Sequence, residues 1–470
     1  MLALLFIYIL PASTLLFVVL LLGWAAAWGI LFKKNRHKIS FFLFLLLLII
    51  STWGILQLNP VQNWLVTKVS QSLSKNLKTK VTVKHVNFGL FNKLLAEGVL
   101  VEDRKKDTLL YAGTVKVNIT DWFFFKDHPT LNYVGLSDAV IYMNRTDSVW
   151  NYQFLVDYFS SPKPKNNTEK GSIQIDLKIL DLKNIVFTKA DGWVGQDLKG
   201  SVKKLYLTAD DINVKDRKIA IGQINMEEPV FAIYDYTGKR PLPELKPKPA
   251  VNISDSAQLQ WNAGGWEIKV AKITLKNGSF FNDRETNRGP YTDRFDGQHF
   301  VFSSINGELS NVLFANDTIT TNIKLSTREK SGFEVKELLA NMKLTPAMME
   351  FNNLDITTNK SRIGNYYAMK YKDFNTNMAD FLHSVNLEGR FDNSNIHSDD
   401  LAFFAPELKS WNRIIFFDGN AKGSIDNLTA DKFRLKSDNT IITGDISLKG
   451  LPDIYNTFID FKSDDLQTNY

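Results

Sequence analysis

For about 390 residues after Thr79, the apolar side chains of this chain keep a period of two. Val115, Val117 and Ile119 alternate with Lys116 and Asn118, and Ile173, Ile175, Leu177 and Ile179 alternate with Gln174, Asp176 and Lys178. Shorter runs of the same kind recur at Ile268 and Val270, Ile273 and Leu275, Ile323 and Leu325, and Phe433 and Leu435. Successive side chains of a strand point to opposite faces, so this alternation predicts antiparallel sheet with one apolar face and one wet face. Strands covered on both faces would instead read as continuous apolar runs.

A loose repeat organises these strands. Leu136, Leu182, Met226 and Leu275 each sit before a polar pair and a second apolar run, at separations of 46, 44 and 49 residues. Read as strand, polar turn and strand, the unit predicts a solenoid-like stack rather than separate globular domains. A propeller of WD repeats has a similar period, but its Gly-His and Trp-Asp signatures are missing. The stretch Thr237 to Asp255 contains Pro241, Pro243, Pro247 and Pro249 and reads as a stiff, extended surface excursion. Short helices are expected near Lys370 to Val385 and Ala402 to Phe416, where the two-residue period lapses.

The other end of the chain has a different solvent. Met1 to Phe32 and Ile39 to Leu58 are apolar runs separated by a short segment carrying Lys33, Lys34, Arg36 and Lys38. Each run reaches the roughly 20 residues needed to cross a bilayer and is too long for a cleavable signal peptide. Pro11, Ser13 and Thr14 interrupt the first run, so the second is the safer anchor. The four cations hold the loop between the runs in the cytoplasm, which puts everything from Asn59 onward across the membrane. The absence of cysteine suits an oxidising compartment such as the bacterial periplasm. Setting those four cations aside lowers the net charge from +6 to +2, which argues against a nucleic-acid binder. Between anchor and sheet, Val61, Leu65, Val69, Leu73 and Leu77 form one stripe of an amphipathic helix, with Trp64 beside it and Pro60 in its first turn.

The residue patterns of familiar enzymes are missing. None of the six histidines pairs with another at metal-ligand spacing, and there is no phosphate-binding glycine loop or nucleophile elbow. His397 with Asp399 and Asp400 reads as a hydrophilic loop. Asp283, Glu285, Asp293 and Asp296 lack the order of a calcium-binding EF-hand loop. We expect no enzyme, no metal and no cofactor.

The anchor, the helix beginning Asn59-Pro60-Val61-Gln62-Asn63-Trp64-Leu65 and the block Val81 to Ile119 together resemble the N-terminal part of the TamB family. That family belongs to the AsmA-like membrane-anchored periplasmic proteins, and the resemblance is to the Bacteroidetes type. Phe91-Asn92-Lys93-Leu94-Leu95-Ala96-Glu97-Gly98-Val99, Glu102-Asp103 and Asp107-Thr108-Leu109-Leu110-Tyr111-Ala112-Gly113 carry it most distinctly. It covers about the first 160 residues well. Members usually have one N-terminal span and a longer chain, so this sequence is expected to be truncated at its C-terminus.

The resemblance implies a mainly β protein with three parts. Residues 1–58 form a transmembrane anchor of one or two helices, 59–79 an amphipathic helix, and 80–470 a long, twisted antiparallel β-groove, taco- or solenoid-like. It implies a bridge-like conduit for phospholipid between inner and outer membranes, with Val115, Val117, Ile119, Ile173, Ile175, Leu177 and Ile179 lining the groove. The partners implied are phospholipids, the inner membrane and an outer-membrane β-barrel of the TamA/BamA type reached through a missing C-terminal region. The alternative is a translocation and assembly scaffold for outer-membrane protein insertion or secretion. A third reading is a structural tether whose apolar faces pack on each other.

Overall fold

The structure is a computed structural model. It describes residues 58–88, 93–120, 130–160, 174–214, 216–241, 261–287, 289, 292–372 and 374–468, with Leu46 and Gly54. The apolar runs Met1 to Phe32 and Ile39 to Leu58, with Lys33, Lys34, Arg36 and Lys38 between them, otherwise lie outside these residues. Among the described residues no helix is long and apolar enough to cross a membrane. The chain is mainly β and divides into two units, Met1–Ile141 with Asn151–Ile175, and Tyr142–Trp150 with Asp176–Tyr470.

In the first unit, helix α1 (Asn59–Leu77) begins with Pro60 in its first turn and ends where Lys78 turns left-handed and donates its backbone N–H to Ser74 O. Strands β1 (Val81–Thr82) and β2 (His85–Phe88) lie end to end against β3 (Lys93–Glu102), which pairs with β4 (Thr108–Thr120), which pairs with β5 (Thr130–Arg145). Leu77, Val81, Leu109 and Phe154 form a small core, the last from α2 (Gln153–Ser160). Helix α1 buries Gln62, Val66 and Leu77, whereas Trp64 is 58% exposed and Leu73 also faces solvent. The docked face is therefore rotated by about one residue from the expected stripe. Its position is set by Ser74, whose hydroxyl accepts the Val81 N–H at 2.9 Å. Glu102-Asp103 and Asp107 fall at the β3–β4 turn. Buried Asp103 orders it by accepting the backbone N–H groups of Lys105 and Asp107.

The second unit runs through β6 (Gln174–Asp191), β7 (Gln196–Asn213), β8 (Lys218–Glu227), β9 (Val230–Asp235), β10 (Glu267–Arg284) and β11 (Phe300–Ala315). It continues with β12 (Thr318–Glu329), β13 (Glu334–Thr345), β14 (Met348–Thr358) and β15 (Arg362–Lys370). Short helices α3 (Phe374–Ala379) and α4 (Phe381–Ser384) precede β16 (Asn386–His397). Helix α5 (Ser398–Leu401) and a 3₁₀ turn (Pro406–Ser410) precede β17 (Ile414–Ser424). The unit ends with β18 (Asn427–Ser437), β19 (Thr440–Lys449) and β20 (Phe458–Gln467). From β10 onward each strand pairs antiparallel with the next.

One junction departs from the expected antiparallel sheet. β8 and β9 are two halves of a broken strand; both run antiparallel to β7 and parallel to β10. Parallel neighbours need a crossover connection of about a dozen residues or more. The chain accordingly leaves β9 at Asp235, opposite Arg284, and re-enters β10 at Glu267, opposite Lys218. Of the proline-rich excursion Thr237 to Asp255, residues 242–255, with Pro243, Pro247 and Pro249, lie outside the described residues.

The repeat has a different basis from the turn expected. Each polar pair lies within an extended run, at a residue in the left-handed backbone region: Asp138 (φ 53°), Asn184 (52°), Glu228 (50°) and Asn277 (53°). The same conformation recurs at Asn311, Asn353, Asn393 and Lys432. In β10, β11, β14, β16 and β18 it marks a β-bulge, where two residues face one partner. The apolar pattern carries this information. Phe351 to Leu354 and Ala430 to Phe433 are steps of three, after which alternation resumes. A reversing turn would not need to preserve the apolar face; a bulge does so by adding one residue.

A left-handed backbone costs a non-glycine residue about 1–2 kcal/mol, less for Asn and Asp. The opposing strand compensates by capping the bulge amide. Asn277 N–H donates to Asn306 Oδ1 at 2.8 Å, Asn393 N–H to Asp418 Oδ1 at 2.6 Å, and Lys432 N–H to Asp445 Oδ1 at 2.8 Å. Asp418→Ala is therefore expected to destabilise by about 1–2 kcal/mol. Lys432→Gly, which relieves the strained backbone, should stabilise by about 0.5–1 kcal/mol. Midpoints of chemical denaturation followed by circular dichroism measure both, and the two variants should move them in opposite directions.

Candidate functional site: an apolar sheet face

Strand register assembles the second unit's apolar residues into rows that run across the strands. One row crosses thirteen strands without a polar side chain. It begins with Ile212 on β7, then Ile219, Ile268, Phe314, Ile319 and Leu344. It continues through Met349, Met369, Leu387, Gly423, Leu428 and Leu448 to Ile459 on β20. At about 4.8 Å per strand the row follows a contour of roughly 60 Å. Beside it runs a second row, Met342, Phe351, Tyr367, Gly389, Ala421, Ala430, Ile446 and Phe461. A third row joins Leu182, Leu205, Met226, Leu275, Gly307, Leu325, Leu338 and Ile356.

The long row is neither a closed core nor a wet surface. From Ile212 to Leu448 its members are half-buried, and Ile459 on the last strand is 59% exposed. Tyr367, on the second row, has its phenol pushed up to about 12 because burial disfavours the phenolate. The opposite face is charged. Thr320, Lys343, Glu350, Ala368, Glu388, Lys422, Thr429, Ser447 and Asp460 form its corresponding row. Ion pairs decorate that face, including Lys370 with Glu388 at 2.5 Å, Lys272 with Glu308 at 2.7 Å and Arg362 with Asp355 at 2.7 Å. The Arg362 guanidinium holds the Asp355 carboxyl below its ordinary range.

At one end of the strands the apolar face becomes aromatic. Phe187, Gly200, Phe231, Phe280 and Phe302 share a row. Phe231 stacks on Phe280 with ring centroids 5.9 Å apart, and Phe280 lies 5.9 Å from Phe300.

The expected lining residues separate into groups. In the first unit, Val115 lies in a row with Ala96 and Leu136, and Val117 with Leu94 and Val134; both are half-buried on an apolar face. Ile119 pairs with Leu131 through its backbone. Ile173 lies outside the described residues, as do the side chains of Ile119 and Ile175. Ile179 has Thr208, Gln223 and Lys272 as register neighbours, so it belongs to the polar side, and Leu177 is half-buried on the same strand. The reason is phase: Leu180 and Leu182 carry the apolar face, so Ile179 cannot share it. The long row was not identified from sequence because its signal resides in strand register.

The polar clusters have structural partners. Asp400 Oδ2 accepts hydrogen bonds from Thr358 Oγ1 at 2.5 Å, Ser361 Oγ at 2.6 Å and Lys360 N–H at 3.0 Å, tying α5 to the β14–β15 turn. Asp283 pairs with buried His299 at 2.5 Å, and His299 reaches Thr286 at 3.0 Å. Glu285 accepts the Thr237 N–H, Asp296 accepts the Gln298 N–H, and Asp293 pairs with Lys409. Among the described residues no group of three or more His, Cys, Asp or Glu could hold a metal ion. The arrangement presents a long, half-buried apolar surface with a charged face opposite it. No family model matches this chain, and no curated protein matches it.

Proposed function

We propose that the chain is a conduit for phospholipid, carrying acyl chains along its apolar face while head groups stay in water. The observation that supports this reading is the apolar row across thirteen strands of the second unit, half-buried along its length. An acyl chain transferred to such a surface gains about 0.8 kcal/mol per buried methylene, which offsets most of the barrier to leaving a bilayer. The resemblance to the TamB family and the apolar N-terminal runs support an anchor in a bacterial inner membrane with the sheet in the periplasm. Transfer toward an outer-membrane β-barrel partner would be passive or driven by partners, with no chemical step on the chain.

A second reading draws on β20. Among the described residues its partner strand is β19, and Phe458, Ile459, Phe461 and Leu466 are exposed. Exposed apolar side chains along a strand suit pairing with a client segment, as a scaffold for outer-membrane protein assembly or secretion would require.

Native mass spectrometry with lipid extraction separates the readings. Several phospholipids per chain are expected for a conduit; a lipid-free protein that captures an extended client peptide would favour the scaffold. A lipid-free protein without such capture would leave the tether reading. Met369→Lys, in the middle of the long row, should reduce photo-crosslinking to acyl-labelled lipid about tenfold, while Thr429→Lys on the charged face leaves it unchanged. Equal crosslinking in both variants would exclude transport along this row.

A further inference from the structure

The segment between β16 and β17 extends well beyond what joining them requires. His397 and Ile414 are register partners at its base, and Ser398 N–H donates to Arg413 O at 2.9 Å. From this base the chain reaches back along the strand ends. Asp400, only 4% exposed, holds the β14–β15 turn through its three hydrogen bonds. Further out, Phe403 and Phe404 pack on Phe333, in the β12–β13 turn, with ring centroids 5.6 and 5.4 Å away. Phe404 also meets Phe295, 5.4 Å away, and Phe295 stacks on Phe300 of the apolar face at 5.8 Å. The segment's rings thus cover Phe333 and Phe295, and through Phe295 they adjoin Phe300 at the border of the aromatic end.

Its two parts are held very differently. The base is fixed by a buried, multiply hydrogen-bonded carboxylate. The tip is held by one backbone hydrogen bond, Phe295 N–H to Phe403 O at 2.8 Å, by an exposed ion pair, Lys409 with Asp293 at 3.4 Å, and by the buried side chain of Leu408. Exposed ion pairs contribute little. Phe404 remains 52% exposed, so its ring gains much less from packing than a core phenylalanine would.

We propose that residues 398–413 form a flap whose tip, Phe403 to Lys409, competes with a lipid acyl chain for the phenylalanine patch. Lowered, its rings rest on Phe333 and Phe295 at the border of the patch; lifted about the Asp400 hinge, it opens that border to a ligand entering from the strand ends. This deepens the conduit reading and rests on it, because it assigns the same ligand class a gated point of lateral access.

The test uses the full chain with vesicles of phosphatidylethanolamine and phosphatidylglycerol containing a diazirine-acyl phospholipid. Labelled peptides are mapped at Phe302, in the patch beyond Phe300 and Phe295, and at Leu387, on the long row. The native sequence contains no cysteine, so Asp293→Cys with Lys409→Cys can be bridged by a short bismaleimide to lock the tip down. Phe404→Ala with Lys409→Glu frees it. Freeing the tip should raise labelling at Phe302 about fivefold or more and locking should abolish it, with Leu387 labelling constant in both. Hydrogen exchange of the Phe295 amide reports tip opening independently and should accelerate in the freed variant. Equal Phe302 labelling in freed, locked and native proteins, with Leu387 labelled throughout, overturns the flap and leaves the conduit standing. No labelling at either position overturns the conduit, and the flap as a competitor for lipid falls with it.

Discussion

Everything in the second unit depends on keeping side-chain phase across an irregularity. A strand that gains one residue turns its subsequent side chains to the wrong face unless the extra residue is absorbed locally. Here the left-handed residues at Asn277, Asn311, Asn353, Asn393 and Lys432 absorb it within bulges, so Leu354 continues the face of Phe351 and Phe433 that of Ala430. Bulges also increase local twist, and β10, β11, β14, β16 and β18 carry one. Local twist at these positions and the continuity of the apolar rows therefore have a common cause. The capping of bulge amides by Asn306, Asp418 and Asp445 belongs to the same device, since an uncapped bulge would leave a backbone donor without its acceptor.

An open sheet face removes less apolar surface from water than a closed core, so stability must come from elsewhere. Ladder hydrogen bonds join each neighbour from β10 to β20, and opposite charges pair on the wet face. The strand ends supply more. Asp400 ties α5 to the β14–β15 turn, while Tyr371 N–H and Asp426 N–H donate to Ala347 O and Leu382 O, linking the α3–α4 segment to turns on either side. Fastened ends allow the middle of each strand to leave its apolar side chains half-solvated. In the first unit α1 and α2 cover part of the sheet, and Leu77, Val81, Leu109 and Phe154 form a conventional small core.

Alternation made the strands legible, and the spacing of Leu136, Leu182, Met226 and Leu275 located real landmarks, since each precedes a left-handed residue by two positions. Local polarity could not distinguish a bulge from a turn; the three-residue apolar step could, and it is visible at Leu275 to Gly278 and Phe351 to Leu354. The same attention to phase separates Ile179 from Leu180. The parallel pairing of β10 was beyond reach, because register between distant strands is a long-range choice. The segment carrying Phe403 and Phe404 read as a helix. Its α5 and 3₁₀ turn are short because its apolar residues serve a surface several strands away rather than a helical stripe.

A surface that moves ligands must avoid deep wells as much as barriers. With about 0.8 kcal/mol per methylene, a place that buries four extra methylenes holds a chain about 3 kcal/mol more tightly, slowing departure about a hundredfold. The long row meets this demand in composition: isoleucine, leucine and methionine recur across it, with glycine at β17 and phenylalanine at β11. Met349 and Met369, adjacent in register, are flexible enough to repack around a passing chain. The patch formed by Phe231, Phe280 and Phe300 is the opposite case, a broad aromatic surface on which an acyl chain would linger. In the proposed flap, Phe404 on Phe295 and Phe333 shields the border of that patch, and the exposure of its ring makes the shield reversible.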